Sequence, residues 1–376
     1  MRTLATEWKP LETFSTGPNH YLPDVADITN ATTPGASGES PGEPATQEES
    51  APDEPAPDST EAQAAELRHT FASSLLTTPE LVDLQIPPRP RLLGNFFHEG
   101  DLGFIYAPRG GGKTWMAMMM AAARAKNEAL GEWSAGDRPS RVLYVDGEMH
   151  GADTQSRCRA LGLRADELIW LHGDLLFEKS EASLNLGLAA QQLAITTLCM
   201  DFKIRELYLD NLSCLIRGLK ENDSDDWREL LLPWLLDLRR RKITVVVVHH
   251  AGRNGLMRGT SQREDQANWI LKLDPMNEED REGADFVSRF EKLRAHGSGC
   301  YPLRWTLVTQ PDGTFERRCV RFSEHDEMLK HIREGVGKAS ELAELAGVAK
   351  GTISKWAKRL QAGGFITIER GVYKVV

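Results

Sequence analysis

The segment Phe104-Ile-Tyr-Ala-Pro-Arg-Gly-Gly-Gly-Lys-Thr114 joins an apolar run, Leu102–Tyr106, to a helical pattern that opens at Lys113. Three consecutive glycines free the backbone to curl, so that successive N–H groups point inward at an anion. The positive end of the helix that begins there adds to the same field. A lysine at the mouth of such a turn bridges the outer phosphates of a triphosphate, and the hydroxyl after it holds Mg²⁺. This is a Walker A pattern. It predicts ATP bound with Mg²⁺ by Ala107, Arg109, Gly110, Gly111, Gly112, Lys113, Thr114 and Trp115. Ala107 stands where the pattern usually begins with glycine, a change that is tolerated if the position does not need positive φ.

Outward from this segment, strand and helix signals alternate. Helices are predicted over Ala64–Leu76, Lys113–Leu130 (ended by Gly131), Leu188–Phe202 and Trp227–Arg241. Strands are predicted over Arg141–Val145, Glu206–Leu209 and Ile243–Val248, the last an apolar run suited to burial on both faces. Pro79, Pro87, Pro88 and Pro90 mark an extended approach to the first strand. The alternation predicts an α/β fold, a mostly parallel sheet covered by helices. Later strands near Ile270–Leu273, Phe286–Lys292 and Arg304–Val308 lack helices between them and predict an antiparallel extension.

The strand ends carry the remaining chemistry. Glu206-Leu-Tyr-Leu-Asp210 ends in a carboxylate, placed to share Mg²⁺ with Thr114, and Asn211 and Ser213 line the same edge. Val142-Leu-Tyr-Val-Asp146 runs into Gly147-Glu148, so Glu148 or Asp146 can act as general base for an attacking water. The run through Val248 ends in His249-His250. A polar group at that tip, His250, can touch the γ-phosphate. Neighbouring strand residues face opposite sides, so the two histidines do not suit one metal ion.

Composition limits the other possibilities. Residues 1–66 hold thirteen acids and two bases, so the net charge of -10 belongs to the tail, and the remainder is close to neutral. From Asn30 to Ala65 almost nothing large and apolar occurs, which predicts a disordered acidic tail over 1–65. Trp8, Phe14 and Tyr21 lie in it as a floppy end or a short docking peptide. No apolar stretch suits a membrane span and the N-terminus has no signal-peptide core, so a cytoplasmic location is expected. Cys158, Cys199, Cys214, Cys300 and Cys319 are scattered, with no zinc spacing.

The order of these pieces resembles the RecA/DnaB class of ATPases, and more closely the RepA-type hexameric replicative helicases of plasmids, phages and related mobile elements. The resemblance runs from about Thr77 to Phe322. It rests on Thr78-Pro-Glu-Leu, Ile86-Pro-Pro-Arg, the Walker A segment, Asp146-Gly-Glu148, Leu184-Asn-Leu, Leu209-Asp-Asn-Leu-Ser-Cys-Leu215, Glu221–Trp227, His249-His-Ala-Gly-Arg253, Arg258-Gly-Thr-Ser261 and Asp265. It implies a RecA-like core over 66–325, with Glu148 as the catalytic glutamate. It also implies a ring, most simply a hexamer, in which a neighbour supplies a cation to the γ-phosphate. Lys292 and Arg294, in Phe290-Glu-Lys-Leu-Arg294, would fill that role, with Arg258 a second candidate. The loop Gly252–Asp265, holding Arg253, Arg258 and Arg263, would face DNA in the channel. Family members often carry lysine where Arg253 stands.

After Ser323 the chain turns short, helical and basic: residues 328–376 have nine Lys or Arg and four acids. Lys338–Leu360 resembles a helix-turn-helix, with helices over Ala339–Ala346 and Lys350–Gln361 and a turn at Gly347. Leu342, Leu345, Val348, Ile353 and Leu360 fall at core spacing. Thr352, Lys355, Lys358 and Arg359 are left outward for DNA, and Phe365–Val375 adds a wing turning at Arg370-Gly371. This predicts a winged helix domain over 326–376 that binds DNA or protein. The expected activity is ATP hydrolysis coupled to movement on single- or double-stranded DNA, with a primase or initiator as a further partner. The alternatives are a RecA/KaiC-class recombination or regulatory ATPase that binds DNA without unwinding it, and a DNA-binding regulator switched by ATP.

Overall fold

The computed structural model describes residues 59–216, 227–252, 265–276, 283–295, 297–362 and 364–376. The expected disordered tail and its aromatic residues, up to position 58, lie outside the described residues. The chain divides into two compact units, Met1–Leu84 and Gln85–Val376. Among the described residues no helix is long and apolar enough to cross a membrane.

In the first unit, helix α1 spans Ser59–Ser73 and α2 spans Thr78–Asp83. The first of these starts earlier than predicted, because the Glu-Ala-Gln-Ala-Ala-Glu run has high helix propensity despite its tail-like composition. The second corrects the extended reading around Pro79. Thr77 and Glu80 form a capping box, with the Thr77 N–H donating to Glu80 at 2.7 Å. Proline sits in the first turn, where its missing N–H costs nothing.

The second unit is built on a nine-stranded sheet. Its strands are β3 (Leu102–Ala107), β4 (Val142–Asp146), β5 (Leu168–His172), β6 (Glu206–Asp210), β7 (Thr244–His250), β8 (Trp269–Pro275), β9 (Gly283–Leu293), β10 (Leu303–Thr309) and β11 (Phe315–Arg321). Across the sheet the order is β11-β10-β9-β8-β3-β7-β6-β4-β5. Strands β3 to β8 pair in parallel, and β8 through β11 pair antiparallel. The parallel core and its antiparallel extension thus follow the sequence expectation. Ahead of them lie two short strands, β1 (Arg91–Leu93) and β2 (Phe97–His98), paired with each other.

Alternation on the central strands divides the core between two faces. Ile105 and Ala107 of β3, with Val246 and Val248 of β7, join one cluster that includes helix α3 (Lys113–Lys126). Leu102, Phe104 and Tyr106, with Val245 and Val247, join the other. Helices α6 (Ala189–Asp201) and α8 (Leu232–Arg240) cover that second face. Between the strands also lie α4 (Gly151–Ala160), α5 (Gly173–Ser180) and α7 (Leu212–Leu215).

Helix α3 stops at Asn127 rather than at Gly131. Asn127 takes the left-handed conformation, its N–H reaches back to the last carbonyls, and its side chain accepts from Arg124 at 3.1 Å. The helix predicted over Trp227–Arg241 opens instead with a π-turn, Trp227–Leu231. Pro233, at the start of α8, cannot supply the N–H that a continuous α-helix needs there.

The C-terminal elements are α9 (Glu324–Arg333), α10 (Ala339–Leu345), α11 (Lys350–Ala362), β12 (Ile366–Glu369) and β13 (Val372–Val375). The two strands form an antiparallel hairpin, and Lys338 bridges to Val372. Leu342, Ile353 and Leu360 are buried in a cluster of their own with Met328, Leu329, Ile332 and Tyr373. Leu345 departs from the expected core set and is 55% exposed, with the smaller Ala343 taking an inward position on that helix.

Candidate nucleotide site

Strand β3 and helix α3 are joined by residues 108–112, and this turn is shaped as an anion nest. Gly110 and Gly112 have φ of 73° and 85°. A Cβ on Gly112 would also lie 2.3 Å from the Phe286 ring, so that position admits only glycine. A Cβ on Gly111 would lie 2.8 Å from that of Ala107. Ala107 itself is outside the residues with positive φ, which accounts for alanine there. Lys113 is buried to 7% exposure, and its Nζ donates to the carbonyls of Ala107 (3.3 Å) and Pro108 (2.9 Å). Burial holds its pKa below the usual lysine range, while Asp210 and Glu148 pull it back up and Arg109 pushes it down.

Across from the nest, β4 and β6 pair so that Asp146 lies opposite Asp210, and the Gly147 N–H donates to the Asp210 carbonyl at 2.8 Å. Asp210 is 2% exposed. Its Oδ2 accepts from the Tyr144 hydroxyl at 2.7 Å, and its buried Oδ1 has no hydrogen-bond partner among the described residues. Burial pushes its pKa up to about 6, against the pull of Tyr144 and of the nearby Thr114 hydroxyl. A hard cation suits this arrangement, because an unpartnered carboxylate oxygen beside a hydroxyl offers the oxygen donors that Mg²⁺ takes. Among the described residues no cluster of three or more His, Cys, Asp or Glu forms another metal site.

The two candidate bases have different surroundings. Asp146 is 1% exposed. Its Oδ1 accepts the N–H groups of Glu148 and Met149 at 3.1 Å each, and its Oδ2 accepts from Thr154 at 2.8 Å. His172 adds a contact at 3.5 Å. Both carboxylate oxygens are therefore occupied in shaping the turn. Glu148 faces solvent at the cleft, and its Oε2 accepts from the Asn211 amide. That same amide nitrogen lies 3.2 Å from His250 Nε2. Asn211 is fully buried, and its Oδ1 caps α7 through the Cys214 N–H at 3.1 Å. The Asp210–Asn211 peptide is cis. Together these groups surround a cleft of about 760 Å³, lined by Arg109 to Trp115, Glu148, Met149, Arg157, Ser213, Cys214, Ile216 and His250.

A family model described as an AAA domain matches residues 67–255, half of the chain. The chain belongs to the AAA domain family. Its P-loop core is that of an ATPase. No curated protein matches the chain. Among solved structures, the flagellar accessory protein FlaH from Methanocaldococcus jannaschii has 12% identity and a TM-score of 0.40, covering 58% of this chain and 90% of that one. A KaiC-like protein from Pyrococcus horikoshii OT3 has 16% identity and a TM-score of 0.43, covering 63% of this chain and 100% of that one. Likeness of this size bears on no residue and no activity.

Within this AAA domain, Lys113, Thr114, Asp210, Glu148 and His250 converge on one cleft. His249 is fully buried, on the other side of β7. Lys292 and Arg294 do not line that cleft. Lys292 pairs with Ile270, which pairs with Phe104. It is therefore level with a residue three before Ala107, about 10 Å down the strand at roughly 3.3 Å per residue. Both side chains donate to the Asp265 carbonyl, Lys292 at 3.1 Å. Arg253, Arg258 and Arg263 lie outside the described residues. On α11, Lys355, Lys358 and Arg359 are exposed and Thr352 is half-buried. Sequence reasoning missed Tyr144 and His172, whose roles arise across strands, and Thr154, which reaches Asp146 from α4. The signal available for Tyr144 was its place two residues before Asp146, on the same side of a buried strand, where a tyrosine hydroxyl needs a partner.

Proposed function

We propose that this AAA domain protein is an ATP-driven motor on DNA, a helicase-type ATPase that works as a ring. The observation that carries the reading is the placing of Lys292 and Arg294 away from the chain's own cleft, on the far stretch of the sheet. In this reading they serve a nucleotide held by a neighbouring copy. The exposed basic side of α11, beside the β12–β13 hairpin, supports a winged helix that meets DNA. A single module of this size binds weakly, and several copies in a ring act together.

In this reading Lys113 leaves the loop carbonyls and turns to the β- and γ-phosphates, while the nest N–H groups hold the rest of the triphosphate. Thr114 and Asp210 would hold Mg²⁺, which would supply charge stabilisation at the phosphates. Glu148 accepts the proton of the attacking water, with Asn211 fixing its direction. His250, sharing that amide, registers loss of the γ-phosphate. A cation from the next subunit contributes on the order of 10³–10⁵ in turnover.

The test is ATPase rate with and without single-stranded DNA, together with strand separation on a forked duplex. Stimulation with unwinding is expected. Stimulation without unwinding replaces the helicase with a RecA/KaiC-class DNA-binding ATPase, and no turnover at all replaces it with an ATP-switched regulator.

A further inference from the structure

At the end of the sheet away from the phosphate nest, three strands of the parallel core start level. Val142 of β4 pairs with Glu206 of β6, and Glu206 pairs with Thr244 of β7. Asp210 lies four residues along from Glu206, so this end is about 13 Å from the nucleotide cleft, at roughly 3.3 Å per residue. A cleft of about 450 Å³ opens here, and its charged lining is Arg138, Arg141, Lys203 and Arg205 with Glu99 and Glu167. Both acids are taken by arginines. Arg138 reaches Glu99 at 2.6 Å, and Arg141 forks onto Glu167 at 2.6 and 3.1 Å. Lys203 and Arg205 are exposed and have no ion pair among the described residues. Four cations against two acids leave the lining at +2.

The cations form a row. The Arg205 N–H donates to the Arg141 carbonyl at 2.9 Å, so the two arginines enter neighbouring strands side by side, about 4.8 Å apart. Lys203 follows α6 and Lys242 follows α8, each in the turn before the next strand. Both hold the left-handed conformation, with φ of 55° and 61°, at the place after a helix where glycine is favoured. We propose that this row is a surface for the phosphate backbone of DNA, with Lys203, Arg205 and Lys242 as its free cations. The proposal rests on the reading of DNA as partner, and adds a contact apart from the nucleotide cleft. Exposed cations in a row suit a chain of phosphates, spaced about 3.4 Å along the axis on each strand of a duplex. The cleft is lined by no aromatic side chain on which a base could stack. The contact therefore holds the backbone without reading sequence.

Fluorescence anisotropy of the full chain with labelled oligothymidine, across a salt series, reads how many phosphates are neutralised. Lys203→Gln/Arg205→Gln should reduce the slope of log affinity against log salt by about 1.4, at about 0.7 per contact, which is about 25-fold weaker binding at about 0.1 M salt. Lys179→Gln/Arg317→Gln removes the same charge at exposed positions on α5 and β11, and should keep the wild-type slope. Both double variants should keep the wild-type urea midpoint, so that the slope reports contact rather than folding. An unchanged slope in the first variant, or an equal fall in both, would overturn the surface while leaving DNA as the partner. An unchanged slope together with lost binding of polyglutamate would assign the row to an acidic protein instead. Failure of wild type to bind oligothymidine would remove the DNA reading and this surface with it.

Discussion

Replacing Arg124 with methionine should loosen the site from its far end. Arg124 lies in the last turn of α3, whose first turn carries Lys113 and Thr114. Glu206 opens β6, which closes on Asp210. Both side chains are fully buried, with Arg124 Nε 3.0 Å from Glu206 Oε1, so this ion pair ties helix to strand at the end opposite the nucleotide. The guanidinium also donates to the Arg138 carbonyl at 2.9 Å. Methionine keeps the stem and leaves the carboxylate buried without its partner. One-sided loss of a buried pair costs about 3–5 kcal/mol. With a urea slope of about 3 kcal/mol/M, the midpoint should fall by about 1–1.7 M.

The loss has a definite pH sign. Burial already raises the Glu206 pKa above its ordinary 4.5, and Arg124 pulls it down. Without Arg124 it rises further, so the folded state keeps a proton that the unfolded chain releases. The destabilisation is therefore small below the unfolded pKa. It grows as pH rises through that value, and levels off above the folded one. Urea melts of wild type and Arg124→Met at pH 5 and pH 8 measure this, with the larger loss expected at pH 8. Adding Glu206→Gln should recover most of the loss at pH 8, because it removes the buried charge. An equal loss at both pH values, with no recovery in the double variant, would refute the reasoning.

Other outcomes follow from the cleft. Glu148→Gln should keep magnesium ATP binding and lower turnover by about 10²–10⁴-fold in a steady-state phosphate-release assay. Asn211→Ala should lower kcat by about 10- to 100-fold with KM little changed, since it removes a hydrogen bond to a charged group worth about 1.5–3 kcal/mol. Arg294→Ala should bind nucleotide normally and lose about 10³–10⁵ in turnover, and full activity in it would end its role as the neighbour's cation.

The phosphate nest was legible because its parts are contiguous. Gly110 to Thr114 state the curl, the lysine and the hydroxyl within five residues. Asp210 was legible because it ends an apolar strand, and the antiparallel extension because no helix-length stretch separates its strands. Strand β5 was missed, since Leu168–His172 lies at the sheet edge with a mixed burial pattern and so shows no clean alternation. The end of α3 was set by Asn127 adopting a left-handed cap, a role that Gly131 could equally have filled from the sequence. Tyr144 reaching Asp210, and Asn211 joining Glu148 to His250, depend on strand register between segments far apart in sequence. Spacing does not encode that register. The backbone N–H groups that occupy Asp146, and so bear on the choice between it and Glu148, were likewise not visible in the spacing.

The account depends most on Lys113 meeting a triphosphate. The direct measurement is equilibrium binding of magnesium ATP to the full chain and to Lys113→Ala. Loss of a charge-assisted contact predicts binding weaker by at least about 10- to 100-fold in the variant. Undiminished binding by Lys113→Ala, or no binding by wild type, would contradict it.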